Sequence, residues 1–287
     1  MTSLPPRAGR RCHQVLNPLH SAIYFSPEFG KEFAGIGIDG WHAAYFTARS
    51  AAMGPVGPGV VTATFYNYSH RLAAAHLPAA CSAADPATAL SGRLRVAAAV
   101  GRRLLGEETL ASPELAEAAE LAQRAAPGGE RAGRARYAAE AGQPVPDAPH
   151  LALWHAATQL REHRGDSHNA VLAHAALDGL EAQVSHTASG FGFTPEFARS
   201  SRGWDAGEWA AAQDRLRARG LLAADGELTE AGTALRKELE DETDRVDLAP
   251  YEHLGAEGVA RLTELATGYT TTALAAGALP KDIFGKG

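Results

Sequence analysis

Nine stretches of this chain carry apolar residues at helical spacing, and strand-like alternation is scarce. They run over 41–53, 58–75, 86–104, 112–125, 151–164, 167–188, 205–219, 229–245 and 255–274. Alanine, leucine and glutamate dominate them, all strong helix formers, so the expected fold class is mainly α. At 287 residues and 45% hydrophobic, the chain can bury a large core as one large or two medium domains.

The first 14 residues are expected to be disordered. They carry some positive charge with no apolar run behind it, which argues against a signal peptide or membrane anchor and for a cytoplasmic protein. Residues 126–150, rich in Gly, Pro and Arg, break every period and read as a linker or surface loop. They would join an N-terminal helical half, 15–125, to a C-terminal half, 151–287. Cys12 and Cys81 are the only cysteines and have no zinc-finger spacing, so neither a disulfide framework nor a thiolate zinc site is expected.

The halves share a tetrad. "WHAA" recurs at Trp41 and Trp154, and with one gap Arg49 meets Arg161, Gly54 meets Gly165, Val60 meets Val171 and Asn67 meets Asp178. This suggests an internal duplication of a helix ended by a glycine, a turn and a second helix. The second copy alone holds "REHRGDSH", residues 161–168, where the first has Ser50, Ala51, Pro55 and Gly57 in place of Glu162, His163, Asp166 and His168. The hairpin therefore does not need those charges in order to fold.

Two readings of the charged segment stand side by side. In the structural one, Asp166 caps the second helix, His168 is a core histidine, and arginines pin carboxylates between helices. In the functional one, Glu162 with His163 or His168 forms an acid/base pair, and Arg161 or Arg164 holds an anionic group. Glu162, His163 and His168 match no standard metal-ligand spacing, so no metal site is assigned. Beside them stands an aromatic and polar set fit to line a pocket: Tyr24, Phe25, Trp41, His42, Tyr45, Arg49, Met53, Phe65, Tyr66, Asn67, Trp154, His155 and Thr158. No phosphate loop, dinucleotide fingerprint or nucleophile elbow is present, and no cofactor can be named.

From Thr194 the chain reads as a short helix, a turn, an Asp205 cap, an amphipathic helix with Trp209, Ala212 and Leu216 on its stripe, and then "RGLLAADGELTEAG". This run resembles the winged helix-turn-helix of MarR-type regulators, which implies a small β wing. A degenerate first copy would lie in "DPATALSGRLRVAAAVGRRLLGEE". The segments "YFSPEF", "WHAAYFTARSAAMGPVG", "TFYNYS" and "LREHRGDSH" further resemble an actinobacterial family defined by its helix-turn-helix and without an assigned reaction.

DNA binding is nonetheless disfavoured. The recognition helix would present Asp205, Glu208 and Trp209 at its front, the wing has no Lys or Arg, and the chain has 27 Lys and Arg against 33 Asp and Glu. The expected function is a small-molecule-processing enzyme of specialised metabolism, acting on an aromatic or apolar molecule with a polar or anionic end. The alternatives are a non-catalytic binding or sequestering protein and a ligand-responsive regulator. A homodimer is compatible with the sequence, and no membrane partner is expected.

Overall fold

Four helices begin with a capping residue followed by proline. Ser26, Asp85, Ser112 and Thr194 each accept the backbone N–H three residues on, opening Pro27–Gly35, Pro86–Leu110, Pro113–Ala125 and Pro195–Ser201. Proline's missing N–H costs nothing in a first turn, where that donor has no helical partner. Asp178 and Asp205 form reciprocal capping boxes with Glu181 and Glu208, opening Gly179–Ala188 and Ala206–Ala218. In the computed structural model, which describes residues 4–285, fifteen α-helices result. The described residues contain no strand, only isolated bridges of Phe193 with Phe284 and Leu222 with Leu228. The chain is mainly α, as its periodicity predicts.

Two compact units interleave along the sequence. Unit 1 comprises the chain up to Val56, Ala79–Ser167 and Asp244–Leu279; unit 2 comprises Gly57–Pro78, His168–Thr243 and the chain from Pro280. Unit 1 is built on alanine. The helix Ala8–Ser21 packs along Ala256–Ala275, which also meets Pro113–Ala125. Their shared core includes Cys12, Leu16, Leu115, Ala118, Ala122, Ala156, Leu160, Leu262 and Ala266, all buried. Small alanines let helix axes approach, and each fully buried leucine contributes roughly 1.5–3 kcal/mol.

Several local expectations need correcting. Residues 8–14, expected to be disordered, belong to Ala8–Ser21 with Ala8 and Cys12 buried, while residues 1–3 lie outside the described residues. The segment 126–150, expected as a linker or surface loop, carries the helix Ala135–Glu140, whose Arg136, Tyr137 and Glu140 are buried. The stretch Pro86–Leu110, expected to hold a degenerate helix-turn-helix, is a long helix joined across a kink at Gly106 (φ 79°, ψ 155°) to a last short helical piece that ends at Leu110.

The expected hairpin at Gly165 is absent: Pro149–His174 runs through it as one helix. Gly165 is glycine for space, since a Cβ there would stand 2.8 Å from a guanidinium nitrogen of Arg136. Asp166 does cap a helix, but a different one. It accepts the backbone N–H groups of Arg136 (2.9 Å) and Tyr137 (3.0 Å) at the start of Ala135–Glu140. By contrast the first "WHAA" helix, Trp41–Ser50, does break, and Gly54 turns at φ 81° before Pro58–Phe65. The two stretches thus differ locally, and the expected duplication is not expressed as two equal hairpins.

In unit 2 the pair Pro195–Ser201 and Ala206–Ala218 stands where the helix-turn-helix was expected, with Trp209, Ala212 and Leu216 buried. Its turn requires Gly203, at φ 75°, where a Cβ would come within 2.7 Å of Leu72. The wing reduces to the single bridge at Leu222. The bridge is closed by the Ala223 N–H donating to the Glu227 carbonyl and the Thr229 N–H donating to the Leu221 carbonyl, after which Thr229 caps Glu230–Val246 by accepting from Gly232.

Candidate functional site

Glu162 is the centre of a buried ionic lattice in unit 1. One of its oxygens meets Arg49 and, at 2.6 Å, Arg161; the other lies 3.1 Å from Arg136. Arg136 also grips Asp166 at 2.7 Å, and Arg49 donates to the Tyr45 hydroxyl at 2.7 Å. In the same unit, Arg93 holds Glu140 through a bidentate fork at 2.6 and 2.8 Å. Burial alone would raise the Glu162 pKa, but Arg136, Arg49 and Arg161 outweigh it and hold the carboxyl well below its ordinary range. Glu162 is therefore a carboxylate with its charge committed to three guanidinium groups.

His163 and Arg164 belong to a second cluster. His163 Nδ1 lies 2.6 Å from Asp247, its ring meets that of Tyr137 edge-on with centroids 4.9 Å apart, and it is fully buried. Arg164 bridges Asp244 (2.9 Å) and Asp247 (3.5 Å), and Arg10 also reaches Asp244. Burial raises the Asp247 pKa even against these partners.

An aromatic group adjoins the Glu162 lattice. Trp41 stacks on Tyr45 at 4.6 Å, Tyr24 meets Tyr45 edge-on at 5.1 Å, and His42 meets Trp41 edge-on. His20 stacks on Trp154 at 5.4 Å and stands 5.5 Å from Tyr24, while the Arg93 guanidinium lies over Trp154 at 5.3 Å. Thr158 donates its hydroxyl proton to the Trp154 carbonyl, so His20 Nδ1 must donate to Thr158, leaving His20 Nε2 as a bare acceptor. Nε2 has no partner, and neither do the Tyr24 hydroxyl and the Nε–H groups of Arg93 and Arg161, although all four are buried. Burial keeps His20 neutral and pushes the Tyr24 hydroxyl up to about 12. His155 accepts from Gln159 at 2.7 Å, whereas Phe25 and Met53 are half-buried at the ends of short 3-10 turns.

The remaining expected residues lie in unit 2, where Phe65, Tyr66, Asn67 and His168 line a cavity of about 280 Å³. His168 Nδ1 is 2.8 Å from Thr243, and Asn67 donates to Gln183 at 2.9 Å. Asp178, matched by the duplication to Asn67, caps Gly179–Ala188 and pairs with Arg215.

Sequence reasoning missed His20, Arg93, Arg136, Glu140, Arg202 and Arg236. A signal existed for three of them. His20 follows Cys12 and Leu16 at four-residue steps, Arg93 sits between Ala89 and Val96, and Arg236 between Gly232 and Leu239. In each case a charged or titratable side chain interrupts a buried stripe of small or apolar residues, joined in Glu230–Val246 by the buried Thr243.

The cations in and just after Ala206–Ala218, and Arg71 beside its start, are ion-paired. Arg215 pairs with Asp178 and Glu181, Arg217 with Asp214, Arg219 with Glu181, and Arg71 with Glu208. The solvent face of Ala206–Ala218 presents Ala206, Gly207, Ala210, Ala211, Asp214, Arg215 and Ala218. Among the described residues no three His, Cys, Asp or Glu converge to hold a metal ion, and no helix is long and apolar enough to cross a membrane. Compared with known proteins, the chain belongs to a helix-turn-helix family whose model matches residues 9–280. No curated protein and no solved structure matches it.

Proposed function

From membership of this helix-turn-helix family as the premise, we propose that the protein is a non-catalytic binder of a small planar molecule, held in unit 1 beside Glu162. The carrying observation is the cluster of four buried polar atoms without a protein partner: His20 Nε2, the Tyr24 hydroxyl, and the Nε–H groups of Arg93 and Arg161. Buried polar groups are almost always paired, and leaving one unpaired costs about 1–3 kcal/mol. Four around one aromatic group call for a bound partner offering a donor to His20 and acceptors to the arginines. The rings of Trp41, Tyr45 and Trp154 suit a flat heterocycle. Arg161, with a quarter of its side chain exposed, is the cluster's outlet to solvent.

Binding is favoured over acid/base catalysis because Glu162 is fixed as a carboxylate and His20 as a neutral base, so neither can cycle protons near neutral pH. The test is native mass spectrometry and absorbance on freshly purified full chain, followed by thermal-shift screening of purine, pterin, isoalloxazine and indole cores. A retained or saturable heterocycle, weakened in Tyr24→Phe, is the expected result. A bare chain that ignores every core but shifts a DNA duplex would overturn it in favour of a regulator.

A further inference from the structure

Unit 2 buries two arginines with almost nothing to neutralise them. Arg236 is 7% exposed and Arg202 is 9% exposed, and both line the cavity of about 280 Å³. Among the described residues Arg202 has no carboxylate partner. Its Nη1 donates to Ser201 at 2.8 Å, its guanidinium lies over Tyr68 (4.6 Å) and Phe193 (5.0 Å), and its Nε is buried without a partner. Arg236 has only the half-exposed Glu240 at 3.6 Å and a contact to His186 Nδ1 at 3.2 Å, which leaves its Nη1 unpartnered. No Asp or Glu among the described residues lines the cavity. A buried charge needs a counter-charge, and the cavity wall supplies none to these two.

The rest of the lining is ring-friendly. Phe65, Leu172 and Phe193 give apolar walls, and the volume sits near the lower end of the ~300–1,000 Å³ of small-molecule pockets, which suits one or two rings. The wall is also strained. Tyr66 has φ 64° and ψ −56°, and the Asn67 N–H bonds back to the Phe65 carbonyl at 2.8 Å, a γ-turn of the rare positive-φ kind at a bulky residue. The Tyr66 hydroxyl pins it by donating to the Leu177 carbonyl at 2.6 Å. Strain of this sort persists where a site requires it.

We propose that the unit 2 cavity is a second binding site, one that takes a small organic anion: an aromatic ring carrying a carboxylate, with Arg202 and Arg236 as its counter-ions. The aromatic sandwich holds the Arg202 fork ready for a planar carboxylate. His186, kept neutral by burial and by Arg236, adds no competing charge. This proposal does not depend on the unit 1 reading.

The test titrates full-length protein with benzoate, indole-3-carboxylate, neutral benzamide and inorganic phosphate. It is followed by calorimetry and by the fluorescence of Trp204, whose indole donates to the Asn67 carbonyl at 3.0 Å. Saturable binding of a carboxylate, at least tenfold tighter than benzamide and phosphate, is expected. Arg202→Gln and Arg236→Gln should each weaken it at least tenfold. Leu172→Trp, which fills the cavity and keeps both arginines, should abolish it even if the arginine variants fold poorly, whereas Tyr24→Phe should leave it unchanged. Benzamide binding equal to benzoate would overturn the role of the arginines, and phosphate binding as tightly would overturn the ring. Carboxylate binding untouched by Leu172→Trp would overturn the site.

Discussion

Buried arginine is handled in opposite ways in the two units. Around Glu162, four arginines (Arg49, Arg93, Arg136, Arg161) meet three carboxylates (Glu140, Glu162, Asp166), each within 3.1 Å of a partner. In unit 2, Arg202 and Arg236 meet one carboxylate among the described residues, at 3.6 Å. The first lattice is nearly neutral, so its job is to fix geometry, and only its outlying N–H groups are left over for a ligand. The second set has a single, longer carboxylate contact for two charges, and in the proposed site the ligand supplies the missing counter-charge. Burial of the same side chain therefore comes with close carboxylate partners in one unit and nearly without them in the other, and the count of nearby carboxylates sets how much of each guanidinium is left for a ligand.

The strongest way to break this contrast is to remove the centre of the balanced lattice. Glu162→Gln leaves Arg49, Arg136 and Arg161 without their shared counter-ion, and the expected loss is about 3–5 kcal/mol of unfolding free energy in chemical denaturation. A loss below about 1 kcal/mol would mean that the lattice does not hold the unit together. Arg202→Met should go the other way and leave stability unchanged or raised, because an unpaired buried cation is replaced by an apolar chain of similar length.

A pH titration sharpens the unit 2 side. Burial, aided by Arg236, lowers the His186 pKa from 6.5 to about 4. Because the folded value lies below the unfolded one, the stability contributed by neutral His186 is fully present above pH 6.5 and is lost as pH falls toward 4. The loss is on the order of 3 kcal/mol. His186→Gln should flatten that part of the stability profile. If the cavity takes an anion, saturating benzoate should shallow the wild-type loss too, since the carboxylate offsets the charge that His186 gains.

Helices are legible in the sequence where stripes and caps agree, as in the Asp205 capping box followed by Trp209, Ala212 and Leu216. Gly165 misleads because glycine next to aspartate usually marks a helix end, and only the three-dimensional approach of Arg136 explains it as a space-maker. Arg136 itself is hidden in a Gly- and Pro-rich stretch, where the six-residue helix Ala135–Glu140 is too short to show a period. The charged segment is more than a solvated face, as its crowding suggests, yet its members divide among three settings: Glu162 with Arg49, Arg136 and Arg161; His163 and Arg164 with Asp247; and His168 with Thr243. Local sequence cannot assign such partners, because nearly all of them come from distant segments.

Asp166→Asn tests that misleading position at intermediate strength. An amide can still accept from the Arg136 and Tyr137 N–H groups but loses the charge facing Arg136, so about 2 kcal/mol should go, with backbone amide exchange rising in Ala135–Glu140.

The smallest expected effect carries the most information. Tyr24→Phe removes a single buried hydroxyl that has no protein partner, while the ring keeps its edge contacts with His20, Phe29 and Tyr45. If a ligand is what satisfies that hydroxyl, the ligand-free variant should be as stable as the wild type or more stable, by up to about 1 kcal/mol, because deleting an unpaired polar group removes its desolvation cost. Ligand-bound stability should fall in the same variant, so the order of wild type and mutant reverses between the two melting curves. A hydroxyl that merely packed would move both curves in the same direction. The reversal therefore separates a recognition group from a structural one whatever molecule the ligand proves to be, provided that the protein is measured both as purified and after extensive dialysis.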